Sequence, residues 1–187
     1  MNSRNGKLRW KKELVKDHGA LRPVWGFAGS PIIVEDLVIL TANSSGMGLN
    51  KKNGEKVWVS DRPPKQFKAS DSHASNGADY ATPVVFKRHE KTYALIASWK
   101  GLSAVDVQTG RPLWVYEWEL YSSCHPMDPV VDGDHIYLAE NYHPPSKPRP
   151  GSLFLDVSGE SPALLWRNEA AQPKPRQTSS TILARSR

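Results

Sequence analysis

A thiol directly followed by an imidazole, Cys124-His125, is where this chain sets a nucleophile beside a base. Neighbouring side chains on an extended strand point to opposite faces, so adjacency alone does not build a dyad. The reading favoured for Cys124 is a structural thiol. His73, with Asp71 and Asp79, gathers one imidazole and two carboxylates in a polar run. Their spacing matches neither a zinc nor a calcium site. Asp132-Gly133-Asp134 is too short for an EF-hand loop and reads as a hairpin turn. No catalytic residue and no metal ligand is assigned, and cofactor-binding residues stay unknown. The Pro-rich run 143–150, around Arg149, has the composition of a polyproline II ligand for an SH3-like groove, with a stiff loop as the favoured reading. Asn43-Ser44-Ser45 is a glycosylation acceptor only in a eukaryotic secretory pathway.

The stronger signal is a repeated phrase. Ala104-Val105-Asp106-Val107-Gln108-Thr109-Gly110-Arg111-Pro112-Leu113-Trp114 is its clearest copy. Gly48-Leu49-Asn50-Lys51-Lys52-Asn53-Gly54-Glu55-Lys56-Val57-Trp58 repeats it with the amide, glycine and tryptophan at the same offsets. Looser copies run from Asn2 through Asn5-Gly6 to Trp10, and from Asp156 through Ser158-Gly159 to Trp166. The closing tryptophans recur every 48 to 56 residues, a period that marks a repeat architecture. Gly6, Gly54, Gly110 and Gly159 are expected in tight hairpins, where glycine accepts positive φ without steric cost. Trp10, Trp58, Trp114 and Trp166 are expected between neighbouring units, where a large apolar ring with one donor is useful.

A second phrase alternates with the first. Ser30-Pro31-Ile32-Ile33-Val34, Thr82-Pro83-Val84-Val85-Phe86 and Asp128-Pro129-Val130-Val131 each lead through a turn into another apolar run. Proline at the first position of a strand loses no ladder donor, and β-branched runs suit strands. Each unit therefore reads as a four-stranded antiparallel meander, the blade of a β-propeller.

The stretch from Ala104 to Trp114 resembles the tryptophan-docking phrase of the pyrroloquinoline-quinone (PQQ)-like propeller repeats, the quinoprotein alcohol dehydrogenase-like family. The resemblance extends to about residue 169. The fold class it implies is all-β: an incomplete β-propeller of about three blades plus one orphan strand. The blades are expected near 29–60, 81–119 and 128–167, within a partial propeller over 1–169. The orphan strand is expected from Asn5 to Leu14. Residues 170–187 are a tail or the start of a truncated fourth blade. Propellers close with roughly four to eight blades, and Met1 falls inside a repeat unit. The expectation is a fragment, a mis-started open reading frame, one partner of a split or oligomeric ring, or a gene remnant.

The resemblance implies two functions. One is a non-catalytic binding scaffold, like the related outer-membrane assembly lipoproteins. Its partner would be another protein, or a second copy joined through open blade edges. Tyr80, Trp99, Trp118, Tyr121 and Tyr142 flank the connections as candidate anchors, with packing between blades favoured for Trp99 and Trp118. The alternative is part of a PQQ-dependent dehydrogenase oxidising an alcohol or sugar, with PQQ and Ca²⁺ in the channel. That family's vicinal cysteine pair cannot form here, because Cys124 is the single cysteine. The scaffold reading is preferred. The net charge of +6 is scattered over the chain, and no nucleic-acid-binding motif accompanies it. No apolar run is long enough to span a membrane. The start, Met1-Asn2-Ser3-Arg4-Asn5-Gly6, lacks an apolar signal core. The compartment is open from the chain itself, and periplasmic or exported if a signal peptide lies upstream.

Overall fold

The computed structural model describes residues 4–20, 22, 26–42, 46–60, 80–98, 101–118, 127–139 and 151–168. Short β-branched and aromatic runs separated by turn residues give three four-stranded antiparallel sheets among them. The first sheet holds β1 (Ile32–Val34), β2 (Leu37–Leu40), β3 (Met47–Asn50) and β4 (Lys56–Val59). The second holds β5 (Val84–Arg88), β6 (Lys91–Ser98), β7 (Gly101–Asp106) and β8 (Pro112–Glu117). The third holds β9 (Val130–Asp132), β10 (His135–Ala139), β11 (Ser152–Asp156) and β12 (Ala163–Asn168). Each strand pairs only with its neighbours in sequence. Every sheet is thus a meander, and the three together form part of a β-propeller.

The turn between the third and fourth strands is built by the same hydrogen bonds in successive sheets. Asp106 Oδ1 accepts from the backbone N–H of Gln108 and Thr109, at 2.9 and 3.0 Å. Asn50 Oδ1 accepts from Lys52 N–H at 2.8 Å, and Asp156 Oδ1 from Ser158 N–H at 2.8 Å. These are side-chain turns, in which an acidic or amide residue replaces a backbone acceptor. The Gly110 N–H then donates to Asp106 O (2.8 Å), and the Gly54 N–H to Asn50 O (2.7 Å). Each third strand also carries a bulge, at Gly48/Leu49, Ala104/Val105 and Phe154/Leu155.

Burial separates the sheets by role. β7 is buried on both faces from Gly101 to Val105. One face, with Ala94, Ile96, Val105 and Val107, packs on Leu37, Ile39 and Trp58 of the first sheet. The other, with Leu95, Ala97, Leu102 and Ala104, packs on Ile136, Leu138, Leu153 and Leu155 of the third. β10 and β11 alternate buried and half-buried residues, so the third sheet hides one face only. A strand covered on both sides reads as a continuous apolar run, whereas one covered on a single side alternates.

The N-terminal segment departs from the sequence expectation. Residues 6–13 are irregular and join no sheet, and Leu14–His18 form a short helix, α1. The expected orphan strand from Asn5 to Leu14 is absent. A lone strand leaves its backbone donors and acceptors without a ladder, whereas a helical turn satisfies them locally. Here the Asp17 N–H donates to Glu13 O (2.7 Å), and Gly19, at φ 71°, closes the helix onto Val15 O (3.0 Å). Leu14 and Ala20 pack on Ala42, Met47 and Leu49 of the first sheet.

Two glycines test this geometry. Gly110 has φ 70°, and a Cβ built there would lie 2.5 Å from Trp58 Cε3. Gly133 has φ 56° with nothing within 4 Å. Gly133→Ala should cost about 1–2 kcal/mol, from the left-handed backbone alone. Gly110→Ala should cost about 2–4 kcal/mol, because steric overlap adds to it. Urea denaturation midpoints of the two variants measure the difference, and equal losses would contradict the ring contact.

Candidate functional site

The surfaces where one sheet meets the next carry the distinctive geometry. Trp10 reaches from the irregular N-terminal segment to the first sheet, donating from Nε1 to Lys51 O at 2.9 Å. Its ring lies against Gly54, where an added Cβ would sit 2.6 Å from Trp10 Cε3. Trp58, at the end of the first sheet, repeats this on the second. Its buried Nε1 donates to Val107 O at 2.8 Å, and its ring covers Gly110. Lys51 and Val107 each follow the Asx residue of their hairpin by one position. Only glycine lets an indole rest this close to the backbone. Gly48, across the ladder from Trp58, also lies under this ring, its added Cβ meeting Cε2 at 2.4 Å.

The contact between the second and third sheets is different. Trp114 is buried at 6 % exposure in the shared core, tilted against Phe86, but its Nε1 has no hydrogen-bond partner among the described residues. Gly159, assigned by sequence to the hairpin contact, has only Ser161 O near a built Cβ, at 3.6 Å. The third hairpin is two residues longer between its aspartate and its tryptophan than the second. That extra length moves its glycine off the position that Gly54 and Gly110 occupy. Gly6, at φ 67°, likewise has nothing within 4 Å of a built Cβ.

Trp166 differs again. It is 44 % exposed and so is not enclosed between two described sheets. Across the ladder from Trp58 and Trp114 stand Gly48 and Ala104, but Phe154 faces Trp166. The two rings stack at 5.7 Å and 23°. His135 stacks on Phe154 at 5.2 Å and 7°, and Tyr137 tilts against Trp166 at 6.0 Å. The outer face of the third sheet is therefore an aromatic surface of His135, Tyr137, Phe154 and Trp166. Leu164 and Leu165 are exposed beside it on β12. The matching positions of the second sheet, Tyr93, Leu95, Ala104 and Trp114, are buried against a neighbour.

Exposed ion pairs trim these junctions. Lys12 Nζ lies 2.6 Å from Glu55 Oε1, tying the N-terminal segment to the first hairpin. The hydrogen bond and the charge of Lys12 hold the Glu55 carboxyl below its usual range. Lys51 does the same for Asp36 at 2.9 Å, first by its hydrogen bond and then by its charge. Hydrogen bonds from Ser158 lower Asp156. Glu55 is thus engaged with the N-terminal segment, Asp36 with the neighbouring turn, and Asp156 within its own hairpin. Among the described residues, no group of three or more His, Cys, Asp and Glu side chains is gathered around a possible metal position. The chain's residues also do not fit the cysteine pair that the resemblance associates with PQQ, since Cys124 is single.

Several sequence candidates lie outside the described residues: Asp71, His73, Asp79, Cys124, His125, Trp99, Tyr121, Tyr142, the sequon at Asn43 and the Pro-rich run 143–150. Tyr80 is half-buried, and Trp118 is buried in the core between the second and third sheets. The outer aromatic face was missed by sequence reading. Its signal was present in the alternation of His135, Tyr137 and Phe154 with Ile136, Leu138, Leu153 and Leu155, which marks a sheet covered on one side.

The fold and its junctions define the class, a partial propeller of the PQQ-like type. A family model described as outer membrane protein assembly factor BamB matches residues 1–158, and the chain belongs to this family of PQQ-like propeller repeats. Among solved structures, BamB from Moraxella catarrhalis is similar at 21 % identity and a TM-score of 0.60, over 89 % of this chain and 44 % of its own. Quinohemoprotein alcohol dehydrogenase from Comamonas testosteroni is similar at 17 % identity and a TM-score of 0.52, over 80 % of this chain and 21 % of its own. The quinohemoprotein alcohol dehydrogenase ADHIIG from Pseudomonas putida HK5 gives 20 % and 0.51, over 87 % and 22 %. This chain thus spans less than half the length of each of these proteins, and the likeness to them is one of fold. Comparison with curated protein sequences finds no match. No helix among the described residues is long and apolar enough to cross a membrane.

Three outcomes follow from the junctions. Trp58→Phe removes the donor to Val107 O and should cost about 1–3 kcal/mol more than the same change at Trp114, whose indole N–H is unpaired. Trp114→Ala should still cost roughly 3–5 kcal/mol, through the cavity it leaves. Denaturant midpoints of the three variants check both statements. The Lys12–Glu55 pair should tether the N-terminal segment fully above pH 4.5, the ordinary glutamate value. The tether should weaken as the pH falls through the lowered folded value. In an NMR titration, Lys12→Gln should raise the Glu55 midpoint back toward 4.5, and an unmoved midpoint would contradict the pairing.

Proposed function

We propose that this chain is a non-catalytic propeller module that binds a protein partner through the outer face of its third sheet. The observation that carries the reading is the aromatic surface of half-buried His135, Tyr137 and Phe154 with exposed Trp166. Aromatic side chains supply large contact areas at small entropic cost and dominate binding hot spots. The positions that bury a neighbouring sheet elsewhere in the chain are the ones left open here. The partner is a further blade, from a second copy or from another protein, seated by Trp166 in the docking role that Trp58 plays on Gly110. The family's description as an assembly factor supports a binding role. The same likeness supports a periplasmic or exported location, at the outer membrane.

The test is the mass of the purified chain by light scattering after size exclusion, with and without PQQ and Ca²⁺. A discrete dimer or trimer that Trp166→Ser returns to monomer supports the reading. A monomer that is unchanged by Trp166→Ser and that binds PQQ saturably would replace it with the dehydrogenase reading.

A further inference from the structure

The two ends of the row of sheets carry matching surfaces. On the outer face of the first sheet, Val38 pairs with Leu49 and Leu40 with Met47. These four hold the register places of Ile136, Leu155, Leu138 and Leu153 in the third sheet. There the third sheet receives the second. At the other end, the aromatic face of the third sheet holds the places with which the second sheet docks. One end thus has the pattern of a receiving face, and the other that of a docking face.

The receiving end also has a complete indole socket. Trp10 Nε1 donates to Lys51 O at 2.9 Å over Gly54, as Trp58 Nε1 donates to Val107 O at 2.8 Å over Gly110. What fills the first socket is not a sheet, because residues 6–13 join no ladder. Trp10 is half-buried where Trp58 is buried. Only Leu14 and Ala20 accompany it on the apolar face. The Lys12–Glu55 pair that ties the segment down is solvent-exposed, and such pairs hold weakly. Trp166 has the register place of Trp58, but it is 44 % exposed.

We propose that the third sheet of one copy docks on the first sheet of a second copy, with Trp166 entering the Gly54 socket in place of Trp10. The N-terminal segment is then an exchangeable cap. It closes the socket in the free chain and leaves it on association. The chain itself selects a second copy as the occupant, since it carries a docking indole at one end and the matching socket at the other. The contact runs head to tail, and contacts of that kind close into rings when the rotation allows. Two copies of the three described sheets fall within the roughly four to eight blades of a closed propeller, and three copies exceed it. A cap lowers the apparent affinity by the fraction of time the site stands open. The inference rests on the reading above that Trp166 seats a blade. It adds the surface that receives the blade and the segment that competes for that surface.

The experiment is sedimentation equilibrium of the full chain over a range of concentrations, with variants that alter the cap. Trp10→Ala should tighten the dimer about tenfold or more by opening the socket. A synthetic peptide of residues 5–20 should return that variant to monomer. Lys12→Gln, which loosens the cap and keeps its indole, should tighten the dimer less. In chain labelled with 5-fluorotryptophan, the Trp10 fluorine signal, assigned through Trp10→Phe, should move to a solvent-exposed position as the dimer forms. Should Trp10→Ala fail to fold, Lys12→Gln and the fluorine signal decide the same question. A Trp166-dependent dimer with an unmoved Trp10 signal, and no response to either cap variant, overturns the socket and leaves the module reading intact. Monomer alike in the parent chain and both cap variants overturns the inference. A dimer that persists in Trp166→Ser overturns the reading on which it rests.

Discussion

The Trp58 indole, lying on Gly110 and donating to Val107 O, is the contact on which the arrangement of the sheets depends. It combines three requirements at one point. A large apolar ring covers the turn, a buried donor finds a carbonyl, and a glycine removes the Cβ that would hold the two apart. Around it pack Leu37, Ile39, Ala94, Ile96, Val105 and Val107. Apolar sheet faces attract one another without direction. The hydrogen bond and the glycine supply the direction, because they work only in one register.

Trp10 makes the same contact from a segment that is not a strand. The socket, a hairpin glycine beside an open carbonyl, therefore selects the indole and not the element that carries it. The first sheet is covered in this way by its own N-terminal residues. The third sheet has an aromatic outer face with no described neighbour, so the two ends of the row of sheets are chemically unlike.

The junction of the second and third sheets shows what happens when one requirement is dropped. The longer third hairpin withdraws its glycine, and Trp114 keeps its burial but loses a partner for Nε1. The nearby Gln108-to-Glu35 contact has only a serine carbonyl as its counterpart. Apolar packing still joins the sheets through Leu95, Leu102, Ile136 and Leu153. Cohesion and precise fit are separable, and a cleft lined by Arg88, Leu113 and Glu160 opens where the fit is poorer.

Much of the fold was legible because propeller repeats write their turns and strands locally. The Asx residue, the glycine and the tryptophan of Ala104–Trp114 each act within one hairpin or on the next, and the proline-led β-branched runs mark where strands begin. Local rules also misled. Asn5 to Leu14 matched a strand phrase, yet no described strand takes up its backbone, and residues 6–13 stay irregular ahead of α1. Gly159 looked like the other hairpin glycines, but its hairpin is two residues longer, and the glycine falls outside the contact. The sequence by itself determined the meander units, their period and the turn chemistry, since these depend on φ preferences and neighbours a few residues apart. Tertiary structure alone decided which tryptophans find a carbonyl, and that Arg88 would meet Ser158 across 70 residues. Those outcomes depend on how two separate sheets meet, which no local pattern encodes.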